Sequence, residues 1–424
     1  MGITRRSVIV LPAGAVLAAG GPAAASRRRP PRPVIFIHGS AGSAMQFRVQ
    51  AKRLASNGYP IEIIEAHEYD SPNIVTILQQ VYAGLDARIT RLLAGTGADR
   101  VDLLAHSLGT YVTQGYLNSS PERAARVAHY VNLDGRPAPA PPGGVPTLAI
   151  WGEGDPARAV AGAANVYLPE QSHTQTVSSA ESFQEIHRFL RGREPHTTEV
   201  RVARVANVSG RAVLFPSNAG VTEASLEIYR VHRVSGRRQG PPRRVAVRGD
   251  GGFGPVPLSP HDRHEFALLR AGQSTHHFYF EPFRRSDSFV RLLTSRPGEG
   301  LGALVDTSDR HTALTFGRQK EWWGGEGDHL WVNGQDILNP ATAPHARRVI
   351  GVFAFDDGSD AISDLSRPLP EFAAQTFITG VDLFIPASAK GAVSVLTKER
   401  GGGYTSLNVP AWPSSAHRVS LEFD

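Results

Sequence analysis

From Val34 onward the chain alternates short, mainly apolar runs, the first of them unbroken, with longer stretches in which apolar residues recur every three or four positions. Val34-Ile35-Phe36-Ile37, Ile61-Glu62-Ile63-Ile64, Val101-Asp102-Leu103-Leu104-Ala105, residues 127–133 and residues 147–151 are of the first kind, and residues 165–168 add a short sixth. Runs like these are expected of strands buried on both faces of a parallel sheet. Residues 44–56, 74–93, 108–117 and 180–190 are of the second kind. In residues 74–93, Ile74, Ile77, Leu78, Val81, Leu85, Ile89, Leu92 and Leu93 fall near one stripe of a helix, and Asn57-Gly58 supplies a C-terminal stop for the helix before it. Strands alternating with helices predict an α/β domain over residues 34–191 with a parallel, doubly wound sheet. Ligands of such sheets bind beyond the carboxyl ends of the strands.

At residues 191–195, Arg-Gly-Arg-Glu-Pro, the helical pattern stops, and beyond this linker the period becomes two. Residues 200–205, 226–231 and 244–248 alternate apolar with polar positions, and Gly, Pro and Asp separate them, with a hairpin turn expected at residues 250–254. Half-buried antiparallel strands have this signature. The tail is therefore expected to be all-β, a sandwich over residues 197–295 and a second β unit over residues 298–424. The strands of the second unit are placed at residues 313–316, 349–355, 376–384 and 393–397. The alternative grouping makes residues 197–424 one merged β unit.

Composition adjusts this picture in three places. The 43 glycines and 31 prolines of the 424-residue chain suit turn-rich β structure. The net charge of +6 is matched by six arginines before residue 34 (Arg5, Arg6, Arg27, Arg28, Arg29 and Arg32), so the rest is formally neutral and no nucleic-acid partner is expected. There is no cysteine, which excludes disulfides, thiolate nucleophiles and thiolate metal sites. Arg5-Arg6 ahead of an apolar segment, followed by Ala23-Ala24-Ala25, reads as a twin-arginine export signal over residues 1–25, with the mature protein secreted from a bacterium. The apolar segment is short of the ~20 residues of a spanning helix, and no other segment is long enough, so no transmembrane segment is expected after signal removal.

The candidate chemistry gathers around Ala105-His106-Ser107-Leu108-Gly109. An apolar strand running into a serine flanked by small residues at −2 and +2, with a helix after it, is the pattern of a nucleophile elbow, here with Ala in place of the first glycine. A neutral serine needs a base oriented by a third group. In α/β-hydrolases the acid and then the histidine follow the serine. Asp155 lies 48 positions after Ser107, behind a strand and a tight turn, and His173 lies 18 positions further, in a polar loop before the last helix. Asp155 is preferred over Asp134, which also ends a strand, and over Glu153. His173 is preferred over His187, assigned to a helix surface, over His106, whose side chain the elbow should direct elsewhere, and over His67 and His129, which fall outside the order. The oxyanion formed on attack needs two N–H donors, one from Leu108 after the nucleophile and one from the loop after the first strand, where His38-Gly39 lies.

His38-Gly39-Ser40-Ala41-Gly42-Ser43, Gln46-Phe47, Asn57-Gly58-Tyr59-Pro60, Glu68-Tyr69-Asp70, Ala105-His106-Ser107-Leu108-Gly109-Thr110 and the all-β tail together resemble the Archaeoglobus-type two-domain lipases. These join a minimal α/β-hydrolase domain to a C-terminal β domain that helps to bind lipid. The resemblance covers nearly all of the chain after residue 33. It implies carboxylic ester hydrolysis, long-chain acylglycerols included, without a cofactor, and it assigns the second oxyanion donor to Ser40. The expected protein is a secreted serine lipase or carboxylesterase working through an acyl-enzyme at a lipid–water interface. Alternatives are a polyester depolymerase of cutinase type and a surface-binding protein with an inactive hydrolase domain. Among the aromatics, the rings of residues 278–283 are expected in the core, whereas Trp322-Trp323 is the candidate lipid contact. His276-His277 and residues 356–360 are both read as turns, not metal sites. Residues 66–73 with the start of the next helix are the candidate lid.

Overall fold

The short apolar runs, with one shift described below, supply the strands of one parallel sheet. The computed structural model describes residues 30–424, so the export signal expected at residues 1–25 lies outside the described residues. The six strands are β1 (Val34–Ile37), β2 (Ile64–His67), β3 (Val101–His106), β4 (Val127–Leu133), β5 (Thr147–Trp151) and β6 (Ala164–Tyr167). They are hydrogen-bonded in the order β2-β1-β3-β4-β5-β6, every pair parallel. Helices α1 (Arg48–Ser56), α2 (Ile74–Thr96), α3 (Leu108–Asn118), α4 (Pro121–Ala125), α5 (Gln175–Ser178) and α6 (Ala180–Arg191) intervene. Two apolar clusters sandwich the sheet: Ile35, Ile37, Leu103 and Ala105 pack toward α2 and α3, while Phe36, Leu104, Val131 and Ile150 pack toward α1 and α6. This is the expected α/β-hydrolase arrangement, and the strands whose ends matter most, β1, β3 and β4, are adjacent at its centre.

Two sequence expectations shift. The run at residues 61–64 forms a 3-10 turn over Ile61–Ile63, and β2 starts only at Ile64, which pairs with Val34. His187, expected on the surface of α6, is buried and its Nδ1–H donates to the carbonyl of Arg193.

The rest of the chain is nearly all strand. One eight-stranded sheet carries, in order, the strands Arg238–Ala246, Ala224–Val231, Arg263–Arg270, Thr275–Phe280, His417–Phe423, Leu314–Trp322, Val349–Phe355 and Ile378–Asp382. It passes from one expected β segment into the other where Thr275–Phe280 pairs in parallel with His417–Phe423, so residues 197–295 and 298–424 share a sheet. A second sheet, built on Gly252–Leu258, Ala206–Leu214 and Asp287–Thr294, packs on its first half around Phe253, Phe266, Phe278 and Phe280. Residues 200–205 alternate in sequence but form no strand, and Val202 and Val205 are exposed. Trp322 is wholly buried, which removes it from any lipid surface. Trp323 is stacked between the His345 ring, 3.7 Å away, and the Arg400 guanidinium, also at 3.7 Å. Among the described residues no helix is long and apolar enough to cross a membrane.

Buried ions fasten the strand-rich region to the α/β sheet. Glu68, directly after β2, accepts from the Ala44 amide at 2.8 Å, from Arg211 at 2.9 Å and from Arg291 at 2.7 and 3.0 Å. Burial alone would raise its pKa, but the charge and hydrogen bonds of Arg291 and the Ala44 amide outweigh it and hold the carboxyl at about 2. A folded-state pKa below the ordinary 4.5 means that this group stabilises the fold above pH 4.5 and ceases to do so as pH falls toward 2. Glu68→Gln is therefore expected to lose stability at neutral pH, on the order of 3 kcal/mol. Its stability should also fall less steeply than that of the wild type between pH 4.5 and 2 in denaturant titrations. Parallel pH curves for the two proteins would contradict this role.

Candidate active site

The elbow expected at Ser107 is present as backbone geometry. Ser107 has φ 51° and ψ −121°, a region that L-residues rarely occupy, between the last residue of β3 and the first of α3. Packing holds it there. Its N–H donates to the carbonyl of Leu133 on β4, and its own carbonyl accepts from the amide and hydroxyl of Thr110. The start of α3 lies directly on the end of β1, so that a Cβ on Gly109 would come within 2.4 Å of the Ile37 carbonyl and 2.6 Å of that of His38. Only glycine fits at that position. The neighbouring loop is equally tight, since a Cβ on Gly39 would meet the Ser107 Cβ at 3.0 Å.

The loop after β1 is fixed from several sides. The Gly39 amide donates to Gln46 Oε1, that of Ala41 to Ser71 Oγ and that of Gly42 to the Gly39 carbonyl. Among residues 39–42 the Ser40 amide is left as the donor with no acceptor among the described residues, and Leu108, first in α3, likewise has its N–H free of any helical partner. The positive end of α3 adds to the attraction for an anion there. His38 is buried, with Nδ1–H donating to Gly39 and Nε2 accepting from the Tyr69 amide, and burial pushes its pKa down. The Tyr69 ring stacks on it at 4.3 Å and its hydroxyl donates to the His38 carbonyl. Residues 66–73, expected as a lid, thus complete β2 and brace this loop. Asn218 of the strand-rich region adds a hydrogen bond to the Gly42 carbonyl.

The acid beside His173 is Asp134. Its Oδ2 accepts from His173 Nδ1–H at 2.6 Å, and its Oδ1 accepts from the Gly152 amide at 2.8 Å and from Arg158 at 2.9 Å. Burial pushes this carboxyl up, but the hydrogen bond and charge of His173, the Gly152 amide and Arg158 together bring it below the ordinary carboxylate range. Asp155, the residue preferred from sequence, is exposed; its carboxylate accepts from the amide of Ala157 and its carbonyl from Arg158, all within its own turn. The reason is strand register. Leu133 pairs with Ile150, so Asp134 leaves β4 level with the end of β5, whereas residues 152–154 carry Asp155 outward beyond that edge. Glu153 faces away as well, bonded to His345 at 2.6 Å.

His106 lies where sequence reasoning did not put it. It is buried with its ring 4.5 Å from that of His173, and its Nε2–H donates to the His173 carbonyl, while burial drives its pKa well down and keeps it neutral. A second support comes from the far strand Leu314–Trp322. The wholly buried Glu321 carboxylate accepts from the Ser172 hydroxyl, from the Thr174 amide at 2.7 Å and from the Thr174 hydroxyl at 2.7 Å. It therefore grips the residues on both sides of His173. No sequence signal marked Glu321, because 147 residues separate it from Thr174.

Ser40, Ser107, His106 and His173 open into a cavity of about 200 Å³ whose other wall belongs to the strand-rich region, including Leu293, Val305, Phe316, Phe353 and Phe377. His276-His277, expected in a turn, lies within the strand Thr275–Phe280: His276 is on that wall, its ring nitrogens bonded to Thr294 and Ser420, and His277 pairs with Glu265 and His417. Residues 356–360 form a turn, with Asp356 accepting from the Ala361 amide. Among the described residues no cluster of His, Asp and Glu has the arrangement of a metal site.

Family models match three stretches of the chain: a class 2 lipase over residues 31–120, a lipase C-terminal domain over residues 204–297 and a further C-terminal domain over residues 300–424. No curated protein matches the sequence. Solved structures that are similar in part include lipase B of Aspergillus fumigatus (14% identity, 40% of this chain and 54% of that one, TM-score 0.31). A CIB-like hydrolase of Thermoplasma acidophilum is 15% identical over 40% of this chain and 89% of its own, with a TM-score of 0.28. Phospholipase PlaB of Legionella pneumophila in complex with thio-NAD is 11% identical over 57% and 85%, with a TM-score of 0.30. The chain thus spans about half the length of the Aspergillus lipase, and likenesses this distant add nothing to the topology described above.

The 2.6 Å bond from His173 to Asp134 is expected to give a strongly downfield Nδ1 proton resonance. That signal should vanish in Asp134→Ala and persist in Asp155→Ala. Its loss in the second variant alone would reverse the pairing.

Proposed function

From the premise that the chain has the architecture of the two-domain lipases and is a lipase/esterase-type hydrolase, we propose that it cleaves carboxylic esters with Ser107 as nucleophile, His173 as base and Asp134 as the acid. The observation that carries this reading is a serine held in elbow geometry at the mouth of a cavity that also holds a histidine bonded to a buried aspartate. Ser107 Oγ attacks the ester carbonyl as its proton passes to His173 Nε2. Asp134 keeps the proton on Nδ1 and stabilises the imidazolium. The oxyanion settles on the Ser40 and Leu108 amides, donors with no competing acceptor. Collapse of the intermediate expels the alcohol, which takes the proton from His173. Water, deprotonated by the same histidine, then releases the carboxylic acid from the acyl-enzyme.

The cavity wall contributed by the strand-rich region is the acyl site in this reading, so that region does more than adsorb to lipid. The polyester alternative uses the same machinery. Arg5-Arg6 and the apolar segment after it support export of the protein from a bacterial cytoplasm. No cofactor enters the chemistry.

Ser107→Ala is expected to abolish labelling by a fluorophosphonate and turnover of a soluble short-chain chromogenic ester. Wild-type turnover in the folded variant would refute the mechanism. Asp134→Asn should lower kcat by about 10⁴-fold, as loss of the orienting acid does elsewhere, whereas Asp155→Asn should stay within about twofold of wild type, in line with an exposed group. Glu321→Ala is expected to reduce kcat on the same soluble ester roughly tenfold or more with KM unchanged, because displacing a positioned catalytic group by as little as 1 Å can cost about 10²-fold. Glu321→Gln, which retains one acceptor oxygen, should recover part of the loss. An unaltered kcat in Glu321→Ala would show that the His173 loop holds its place unaided.

A further inference from the structure

The cavity beside Ser107 contains a carboxyl that ester hydrolysis does not use. Glu422, on the strand His417–Phe423, is only 7% exposed and lines the cavity together with Ser43, Gln46, Gly317 and Gln319. The other buried acids around the site are saturated. Glu68, Asp134 and Glu321 each accept at least three hydrogen bonds. The Glu422 carboxyl has no hydrogen bond or ion pair among the described residues, and Arg48 is the charge that acts on it. Its oxygens keep some exposure within the cavity, so the carboxyl offers open hydrogen-bonding capacity there.

The surroundings show what kind of group would complete it. Gly317 pairs with Glu422 in the sheet, and a Cβ at Gly317 would come within 2.6 Å of a Glu422 carboxyl oxygen. The missing side chain therefore leaves the space in which the carboxyl stands. Burial raises the Glu422 pKa to about 7, the charge of Arg48 opposing the rise. Near neutrality the group is thus available both as an O–H donor and as an acceptor. A cationic ligand would face Arg48 and the desolvation cost of the apolar wall. A neutral hydroxyl, which donates and accepts, matches either protonation state.

We propose that Glu422 is a specificity-determining residue that receives a hydroxyl group of the ester substrate inside the cavity. This rests on Ser107 being the nucleophile of that cavity. The hydroxyl has two chemical sources, a hydroxylated acyl chain or the free hydroxyls of a partial glyceride.

Both sources can be tested with wild type, Glu422→Leu and Glu422→Gln on four micelle-dispersed substrates: methyl stearate, methyl 3-hydroxystearate, methyl 12-hydroxystearate and monostearoylglycerol. Wild type is expected to favour at least one hydroxyl-bearing ester over methyl stearate by about tenfold in kcat/KM. Glu422→Leu should lose that preference, read as the ratio of kcat/KM on the hydroxyl-bearing ester to that on methyl stearate, and the isosteric Glu422→Gln should retain part of it. The substrate on which the preference collapses identifies the source of the hydroxyl. Equal kcat/KM on all four esters in wild type, or a preference unchanged in Glu422→Leu and Glu422→Gln, would overturn the proposal. Failure of the wild type on every ester together with absent fluorophosphonate labelling would instead remove the nucleophile reading beneath it.

Discussion

Holding Ser107 at φ 51° costs about 1–3 kcal/mol for a residue with a side chain, and much of the surrounding structure serves to keep it there. The turn is squeezed between the end of β1 and the end of β4, and each neighbour that could relax it is itself immobilised. Gly109 brings α3 to within contact of the Ile37 and His38 carbonyls, and Gly39 lies against the serine's own Cβ. The loop after β1 is bonded in turn to Gln46, Ser71 and Asn218. Relaxing the serine would therefore require moving two strands and a helix together. That cooperativity is what allows a strained conformation to persist in a folded protein.

The strand-rich region enters the site through polar contacts as well as apolar ones. Asn218 reaches the loop after β1, Glu68 bonds Arg211 and Arg291 across the boundary, and Glu321 holds the turn on either side of His173. Burying charges in this way gains little net stability over well-packed apolar residues, since desolvation offsets most of the attraction. What it supplies is direction. Arg291 donates to both oxygens of Glu68 and Glu321 accepts three hydrogen bonds, and few other relative placements of the two regions would satisfy either set. Two regions that met only through apolar surface could slide by an ångström at small cost. Here they are registered against one another at the point where a histidine must be aimed.

In residues 66–73 the polarity has structural partners: Glu68 and Ser71 bond backbone amides, Glu68 also two arginines, and the Tyr69 hydroxyl reaches a buried carbonyl. Trp322 departs from its expectation. It lies in the apolar core, whereas Trp323, just past the strand, is half-buried against Arg400 and His345.

The α/β architecture and the strand-to-helix turn at Ser107 were legible in the chain itself, because buried parallel strands are predominantly apolar and a strand-to-helix elbow tolerates only small neighbours. Those are local constraints, written within a few residues of where they act. The choice of Asp134 over Asp155 was not local. Both follow strands and both precede the histidine, and only the pairing of Leu133 with Ile150 brings one carboxylate level with His173 and carries the other past it. Glu321 and Glu422 lay further still from any sequence signal, since they reach the site from strands distant in the chain. Periodicity reports which face of an element is buried. Which distant side chain comes to meet it depends on sheet register and on how two regions dock, and only the tertiary structure decides that.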